Sequence, residues 1–149
     1  MNNPVKSPAA INLGLLVARI PLGAFFLMTG LMKVADLGVK TFVQQYSGLL
    51  PEIIPKPIGQ TYLYALPFIE MTVGALLILG LFTRTASAVA CLVVITITIA
   101  ATGPFMPHSH HTPHTNLIFI GLAFLLMTTG PGKVSVDNAA FGLDKSVAR

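Results

Sequence analysis

The sequence predicts an all-α integral membrane four-helix bundle, with an amphipathic interfacial helix between spans 1 and 2. Hydrophobic residues make up 54% of the chain and charged residues only 9%, against about 25% charged residues in soluble domains. So few charges cannot cover a surface that faces water. Four apolar segments also approach the roughly 20 residues that a spanning helix needs. They form one membrane domain over residues 1–149, with spans at about 11–33, 61–82, 85–102 and 113–129 and a polar tail at 133–149.

The first span carries a polar and small-residue stripe along one face. Steps of seven, four, three, four and three residues place its members on the same side of a helix. Small residues let helices approach closely in lipid, so we expect this stripe to face protein and the remaining apolar residues to face lipid. The stripe consists of Asn12, Arg19, Gly23, Phe26, Gly30 and Lys33.

The connection between the first two spans contains a short amphipathic segment. Apolar residues from Val39 to Ile53 recur at helical spacing, while Lys40 and Gln44 occupy other faces. Pro51 then interrupts the pattern, and the segment is too short and too polar to cross a bilayer. It is typical of a helix that lies at the membrane interface or covers one end of the bundle.

Two charged residues inside the spans are the first candidates for a functional site. Arg19 lies in span 1 and Glu70 in span 2, at similar depth when counted from the same side of the membrane. An unpaired arginine inside a bilayer costs at least about 2.5 kcal/mol. We therefore predict an intramembrane polar pair between Arg19 and Glu70. The pair either clamps two helices or has a functional role, such as anchoring a quinone head group or relaying a proton.

Other polar residues are candidates for a cavity or its mouth. Lys33 shares the Arg19 face, which points it into the bundle mouth, although snorkelling to the interface is the plainer interpretation. A polar path through the bundle would combine Arg19 and Glu70 with further polar residues of the spans. The cavity or mouth candidates are Asn12, Lys33, Thr98 and Asn116.

The inner side of the membrane holds two further candidates. Arg84 follows span 2 and Asp137 lies in the tail. Arg84 is interpreted as an anchor at the membrane surface, or alternatively as a partner of Asp137. Four spans place both termini on one side, and the excess of basic residues there favours the cytoplasm. Five basic residues lie on that side and three on the other: Lys6, Arg84, Lys133, Lys145 and Arg149 against Lys33, Lys40 and Lys56.

The loop between spans 3 and 4 holds all four histidines: His108, His110, His111 and His114. Imidazole suits zinc or copper, so the loop is a candidate metal site, with a pH-sensitive loop or a merely polar loop as the alternatives. The single cysteine, Cys91, excludes an intramolecular disulfide and a CxxC motif. The net charge of +4 is spread along the chain, which argues against nucleic-acid binding. No residue pattern identifies a catalytic residue.

Three groups of residues together resemble the DoxX family of small four-helix membrane proteins. They are Arg19 with Gly23 and Gly30 to Lys33, then Glu70 with Gly74, then GPGKVSVD from Gly130 to Asp137. The resemblance implies an integral protein of a bacterial or archaeal cell membrane. Some relatives are the small subunit of thiosulfate:quinone oxidoreductase, and others assist thiol redox complexes. The family often has an acidic residue early in its last helix, where this chain has none.

The resemblance implies a function that the residues alone do not define. We expect a subunit or accessory of a membrane oxidoreductase that acts near quinone, of the thiosulfate:quinone or thiol redox type. The chain would have no cofactor of its own, and its partners would be the lipid bilayer, a quinone and another subunit of a redox complex. The alternatives are a small-molecule transporter or channel, and a structural assembly subunit without catalysis.

Overall fold

The structure is a computed structural model that describes residues 8–50, 54–102 and 113–141. Within these ranges every regular element is helical and no strand occurs. A short 3-10 turn at Ser47–Leu49 follows the second helix. The helices are α1 (Pro8–Ala35), α2 (Val39–Tyr46), α3 (Lys56–Leu79), α4 (Thr83–Thr102), α5 (Pro113–Thr129) and α6 (Val136–Phe141).

Two helices are long and apolar enough to cross a membrane. They cover Ala9–Ala35 and Lys56–Leu79, each with a mean hydropathy of 1.8 over its best window. Helices α4 and α5 contribute shorter apolar stretches, Thr83–Ile99 and Thr115–Thr129. The all-helical class is confirmed, whereas a bundle in which all four helices span the bilayer stays a prediction.

Helices α1 and α3 pack against each other along glycines. Gly23 faces Gly74, and a Cβ atom on Gly23 would lie 2.9 Å from the Gly74 carbonyl oxygen. Gly30 faces Pro67, where an added Cβ would lie 2.7 Å from the carbonyl oxygen. Residue numbers rise along α1 as they fall along α3, so the two helices are antiparallel. Glycine is required at these positions because the backbones approach too closely for any side chain.

The rest of the core joins α1 and α3 to a second pair of helices, α4 and α5. Helix α4 packs chiefly on α5, and α3 contacts α4 over a smaller area than it contacts α1. The amphipathic helix α2 buries Phe42 and Val43 and leaves Lys40 in solvent. The largest fully buried apolar side chains are Phe26, Leu22, Leu77 and Leu126.

Helix α3 and the start of α4 lie earlier in the chain than the sequence predicts. Helix α3 begins at Lys56 rather than near residue 61, because Pro57 in its first turn is compatible with a helix start. Helix α3 ends at Leu79, since Gly80 adopts the left-handed conformation (φ 68°) that closes many helices. Helix α4 begins only four residues after that end, at Thr83.

The segment after α5 folds back onto the end of the bundle. The sequence predicts a polar surface tail from residue 133, and most of its described residues are exposed, with Asp137 as a buried exception. The segment forms helix α6, and Asp137 within it is only 4% exposed. Hydrogen bonds to α1 and to the turn between α3 and α4 hold this segment against the bundle.

Candidate functional site

An ion pair between Lys33 and Glu70 joins α1 to α3. The Lys33 Nζ atom lies 2.5 Å from both carboxylate oxygens of Glu70. The Glu70 side chain is 3% exposed and that of Lys33 is 20% exposed. Lys33 follows Gly30 by one helical turn, and Glu70 follows Pro67 by one turn. The close approach of Gly30 and Pro67 therefore brings the two charged residues within reach of each other.

The direction of the side chains completes the pair. Side chains on a helix lean toward its N-terminus, and α1 and α3 are antiparallel. Lys33 therefore leans along α1 toward the level of Glu70, while Glu70 leans along α3 toward the level of Lys33. The ammonium group also lies 5.4 Å from the centre of the Phe42 ring, a cation–π contact supplied by α2. Three elements thus hold the lysine in place.

A tyrosine of α3 is hydrogen-bonded to α4. The Tyr62 hydroxyl is 2.6 Å from Thr96 Oγ1, and Thr96 Oγ1 in turn donates to the Val93 carbonyl oxygen at 2.9 Å. Because the Thr96 hydrogen is used in that bond, Tyr62 is the donor to Thr96.

The predicted pair between Arg19 and Glu70 does not form. Arg19 Nη1 donates to the Pro131 carbonyl oxygen and Nη2 to the Val134 carbonyl oxygen, each at 2.7 Å. Gly23 and Gly74 set the register, so Arg19 and Glu70 lie four residues from that crossing in opposite directions. At 1.5 Å per residue this separates them by about 12 Å along the helices. Their side chains also lean away from each other, because each points toward its own N-terminus.

Arg19 instead fixes the segment that follows α5. Its guanidinium group is 2% exposed and lies against Gly80, where a Cβ would come within 2.6 Å of Nη1. Asp137 is also near enough to attract its charge. Charged donors on two carbonyl oxygens make strong hydrogen bonds, so Arg19 connects the first helix to the far end of the chain.

Asp137 covers the beginning of α4. Its carboxylate accepts hydrogen bonds from the backbone N–H groups of Phe82 (2.7 Å) and Thr83 (2.9 Å), and its own N–H donates to the Gly80 carbonyl oxygen. These are free donors at a helix N-terminus, which an acidic side chain satisfies. The alternative partner Arg84 makes no ion pair with Asp137 in the described structure, because Asp137 is directed at the helix end.

The remaining candidates are distributed over the molecule. Asn12 lies at the Arg19 end of α1, where its side-chain oxygen accepts from the Lys133 backbone N–H at 2.8 Å. The Thr98 hydroxyl donates to the Val94 carbonyl oxygen within its own helix. Asn116 is half-buried on α5. Of the four cavity or mouth candidates, the structure brings Lys33 to Glu70 and gives Asn12 a role in holding the tail.

The histidine prediction falls mostly outside the described residues. His108, His110 and His111 lie there, and His114 is in the first turn of α5 without a described side chain. Among the described residues, no group of three or more histidine, cysteine, aspartate or glutamate side chains is placed to hold a metal ion. A metal site in the loop therefore stays a prediction.

One continuous stretch of the chain contains the paired glycines, Lys33, Glu70 and Arg84. A protein-family model named DoxX matches residues 14–103, which contain all of them. The chain belongs to the DoxX family. Together with the two apolar helices, this membership identifies an integral membrane protein in contact with the lipid bilayer. The matched range ends before the segment that Arg19 and Asp137 hold. Searches of curated proteins and of solved structures gave no match.

Sequence reasoning missed several members of this site. Neither Tyr62 nor Thr96 is among the candidates that the sequence predicts. Lys33 was placed at the bundle mouth without its partner.

Proposed function

We propose that this DoxX protein is a small subunit or accessory of a membrane oxidoreductase that acts near quinone, of the thiosulfate:quinone or thiol redox type. The observation that carries the proposal is the buried ion pair between Lys33 and Glu70. Ionisable residues inside a membrane are costly and therefore point to function. Reduction of a quinone to a quinol takes two electrons and two protons, so it needs proton-exchanging groups close to the membrane interior.

The two partners of the pair differ in a way that suits proton exchange. Glu70 is almost completely buried, whereas Lys33 in the last turn of α1 is one-fifth exposed. A proton from the membrane surface therefore has a route to Glu70 along Lys33. Tyr62 of α3 adds a further polar group to this helix, with its hydroxyl bonded to Thr96 of α4.

The electrons would come from a partner subunit. A dithiol needs two cysteines, and this chain has only Cys91. In the proposed complex the partner oxidises the sulfur compound, two thiosulfate ions giving tetrathionate and two electrons in the thiosulfate case. This chain would hold the quinone near the proton-exchanging pair. The proposal places the protein in a bacterial or archaeal cell membrane with both termini in the cytoplasm.

The test uses the full chain in lipid nanodiscs, alone and with the subunit that co-purifies with it. Reduction of a short-chain ubiquinone by thiosulfate is followed by the loss of quinone absorbance. We expect activity only with the partner present and a fall of at least tenfold in Glu70→Gln, which keeps the shape of the side chain but cannot exchange a proton. Lys40→Gln, on the solvent face of α2, is the matched control. Failure of both preparations to bind or reduce quinone would reject the proposal.

A structural assembly role is the second candidate, and the contacts of Arg19 favour it. This arginine binds two backbone carbonyl oxygens of the segment after α5 and takes no part in the Lys33 and Glu70 pair. If the protein only assembles a complex, replacing both Lys33 and Glu70 by methionine will leave the activity of the complex unchanged. Loss of activity in a double variant that still assembles with its partner would exclude a purely structural role.

A further inference from the structure

A lipid-facing groove runs between α3 and α4, where these helices are less tightly packed. Its volume is about 610 Å³. Its deepest residues, Val73 and Ala86, are buried (4% and 3% exposed). The aromatic side chains of Phe68 and Phe82 also line it and are more than half exposed. The groove is therefore an apolar trench with aromatic rings at its surface, and a flat helix face would not have this shape.

The backbone at Phe82 is strained where it lines the groove. Phe82 has φ 48° and is the only residue other than glycine with a positive φ in the described part of the chain. Such a conformation is unfavourable for a residue with a side chain and persists only when neighbouring contacts enforce it. Asp137 supplies one of those contacts by accepting the Phe82 backbone N–H. Glycine at position 82 would relieve the strain, but the groove would then lose this aromatic ring.

Two hydroxyl groups from different helices meet beyond one end of the groove. On α3, steps of three and four residues lead from Tyr62 to Ala65 and on to Ile69, which places Tyr62 in line with the groove. The hydrogen bond from Tyr62 to Thr96 connects the same two helices at this end. Tyr62 also lines a smaller hollow of about 430 Å³ whose other lining residues, Pro57, Ile58 and Thr61, are uncharged. An apolar trench thus leads to a pair of hydroxyl groups.

We propose that this groove binds the isoprenoid chain of a quinone, with the quinone ring at the hydroxyl groups of Tyr62 and Thr96. The proposal rests on the quinone-linked function above and assigns its binding site. The end of the groove carries hydroxyls and no charge, which suits an uncharged carbonyl ring. A phosphate head group would call for a cationic side chain among the lining residues.

The hydrogen bonding at Tyr62 accommodates both forms of the ring. The phenolic hydrogen now points to Thr96, and rotation about the C–O bond redirects it to a quinone carbonyl. The phenolic oxygen accepts a hydrogen bond from a quinol hydroxyl in turn. Tyr62 precedes Glu70 on α3 by eight residues, about 12 Å along the helix axis. A ring bound at Tyr62 would therefore lie on the same helix as the carboxylate of the ion pair.

The test is photolabelling of the full chain in phosphatidylcholine nanodiscs with a ubiquinone that carries an azide on its isoprenoid chain. Mass spectrometry of the peptides locates the label. We expect it between residues 65 and 89. Thr72→Phe, which places a ring in the groove at an exposed position, should reduce this labelling at least tenfold. The matched control is Thr128→Phe on α5: Thr128 is also exposed, and both threonine hydroxyls bond to the carbonyl oxygen four residues earlier.

Ring binding is tested separately. Tyr62→Phe should weaken competition by unlabelled short-chain ubiquinone about threefold to tenfold, the range expected for one hydrogen bond. Tyr64→Phe, at an exposed tyrosine one half-turn away, should have no effect. A Tyr62→Phe result equal to that of Tyr64→Phe would overturn the placement of the ring.

Three outcomes separate this proposal from the proposed function. Labelling spread evenly over the exposed faces of α1 and α5, and unchanged by Thr72→Phe, would overturn the groove. Equal labelling of the groove by a phosphatidylcholine with the same azide would identify a phospholipid chain as the occupant and also overturn it. Specific quinone labelling without any quinone reduction in the presence of the partner would support the groove while rejecting the oxidoreductase role.

Discussion

Replacement of Lys33 and Glu70 singly and together tests whether the ion pair stabilises α1 against α3. Methionine is the substitute at both positions, because it has similar length and no charge. Removing one member of a buried pair costs about 3–5 kcal/mol, since the other charge stays unpaired. The two single variants should not be equal. Lys33→Met leaves a carboxylate that is 3% exposed, whereas Glu70→Met leaves a lysine that is 20% exposed and lies near a helix end.

The difference in exposure sets the expected magnitudes. After Glu70→Met, Lys33 can extend toward the membrane surface, so we expect a loss of about 1–3 kcal/mol in the free energy of unfolding. After Lys33→Met, the carboxylate has no such route, and the loss should reach about 3–5 kcal/mol. The double variant replaces both charges by apolar groups of similar volume, which is often close to neutral. The coupling free energy should therefore be at least about 2 kcal/mol.

The assay is reversible unfolding by denaturant in bicelles, followed by helical circular dichroism. Lys40→Met serves as the control, because Lys40 is exposed on α2 and surface substitutions usually change stability by less than about 0.5 kcal/mol. A double variant less stable than either single variant, or a coupling free energy near zero, would refute the reasoning from burial and pairing.

Three further predictions concern the close helix contacts and the segment after α5. Arg19→Met should lower the free energy of unfolding by about 3 kcal/mol, because two charge-assisted hydrogen bonds are lost. Faster proteolysis of the segment after Gly130 would report this loss, and an unchanged rate of proteolysis would contradict it. Asp137→Ala should lower the free energy of unfolding by about 1–2 kcal/mol through loss of the α4 cap. In thermal unfolding, the stability of Asp137→Asn should lie between that of Asp137→Ala and that of the unchanged protein. Gly30→Leu should separate α1 from α3 and abolish the ion pair. Cysteines introduced in the two helices should then fail to form the crosslink that they form without this substitution.

The sequence was sufficient for features that depend on helical periodicity. The stripe on α1 is buried at Arg19, Gly23, Phe26 and Gly30, because a run of polar and small residues at helical spacing has only one favourable orientation in lipid. The amphipathic segment forms α2 for the same reason. Periodicity defines which face of a helix is buried. It leaves open the level at which a residue on that face meets the neighbouring helix.

The partner of Arg19 could not be predicted because it depends on register. The crossing of Gly23 and Gly74 became known only from the structure, and a shift of one turn changes which charges meet. The backbone carbonyl oxygens of Pro131 and Val134 are also invisible to a search for charged partners, since every residue has a carbonyl. The cap by Asp137 depends on a segment that the composition alone assigns to the surface.

The two cationic residues of the α1 stripe differ in the chemistry that their partners allow. Arginine keeps its proton in proteins, and Arg19 is directed at carbonyl oxygens, which cannot take that proton. The Arg19 end of the bundle is therefore a fixed structural contact. Lys33 faces a carboxylate, and a proton can be exchanged between these two groups. Lys33 is also partly exposed, whereas Glu70 is buried. The capacity for chemistry is therefore concentrated at the Lys33 end, within the range that defines the family.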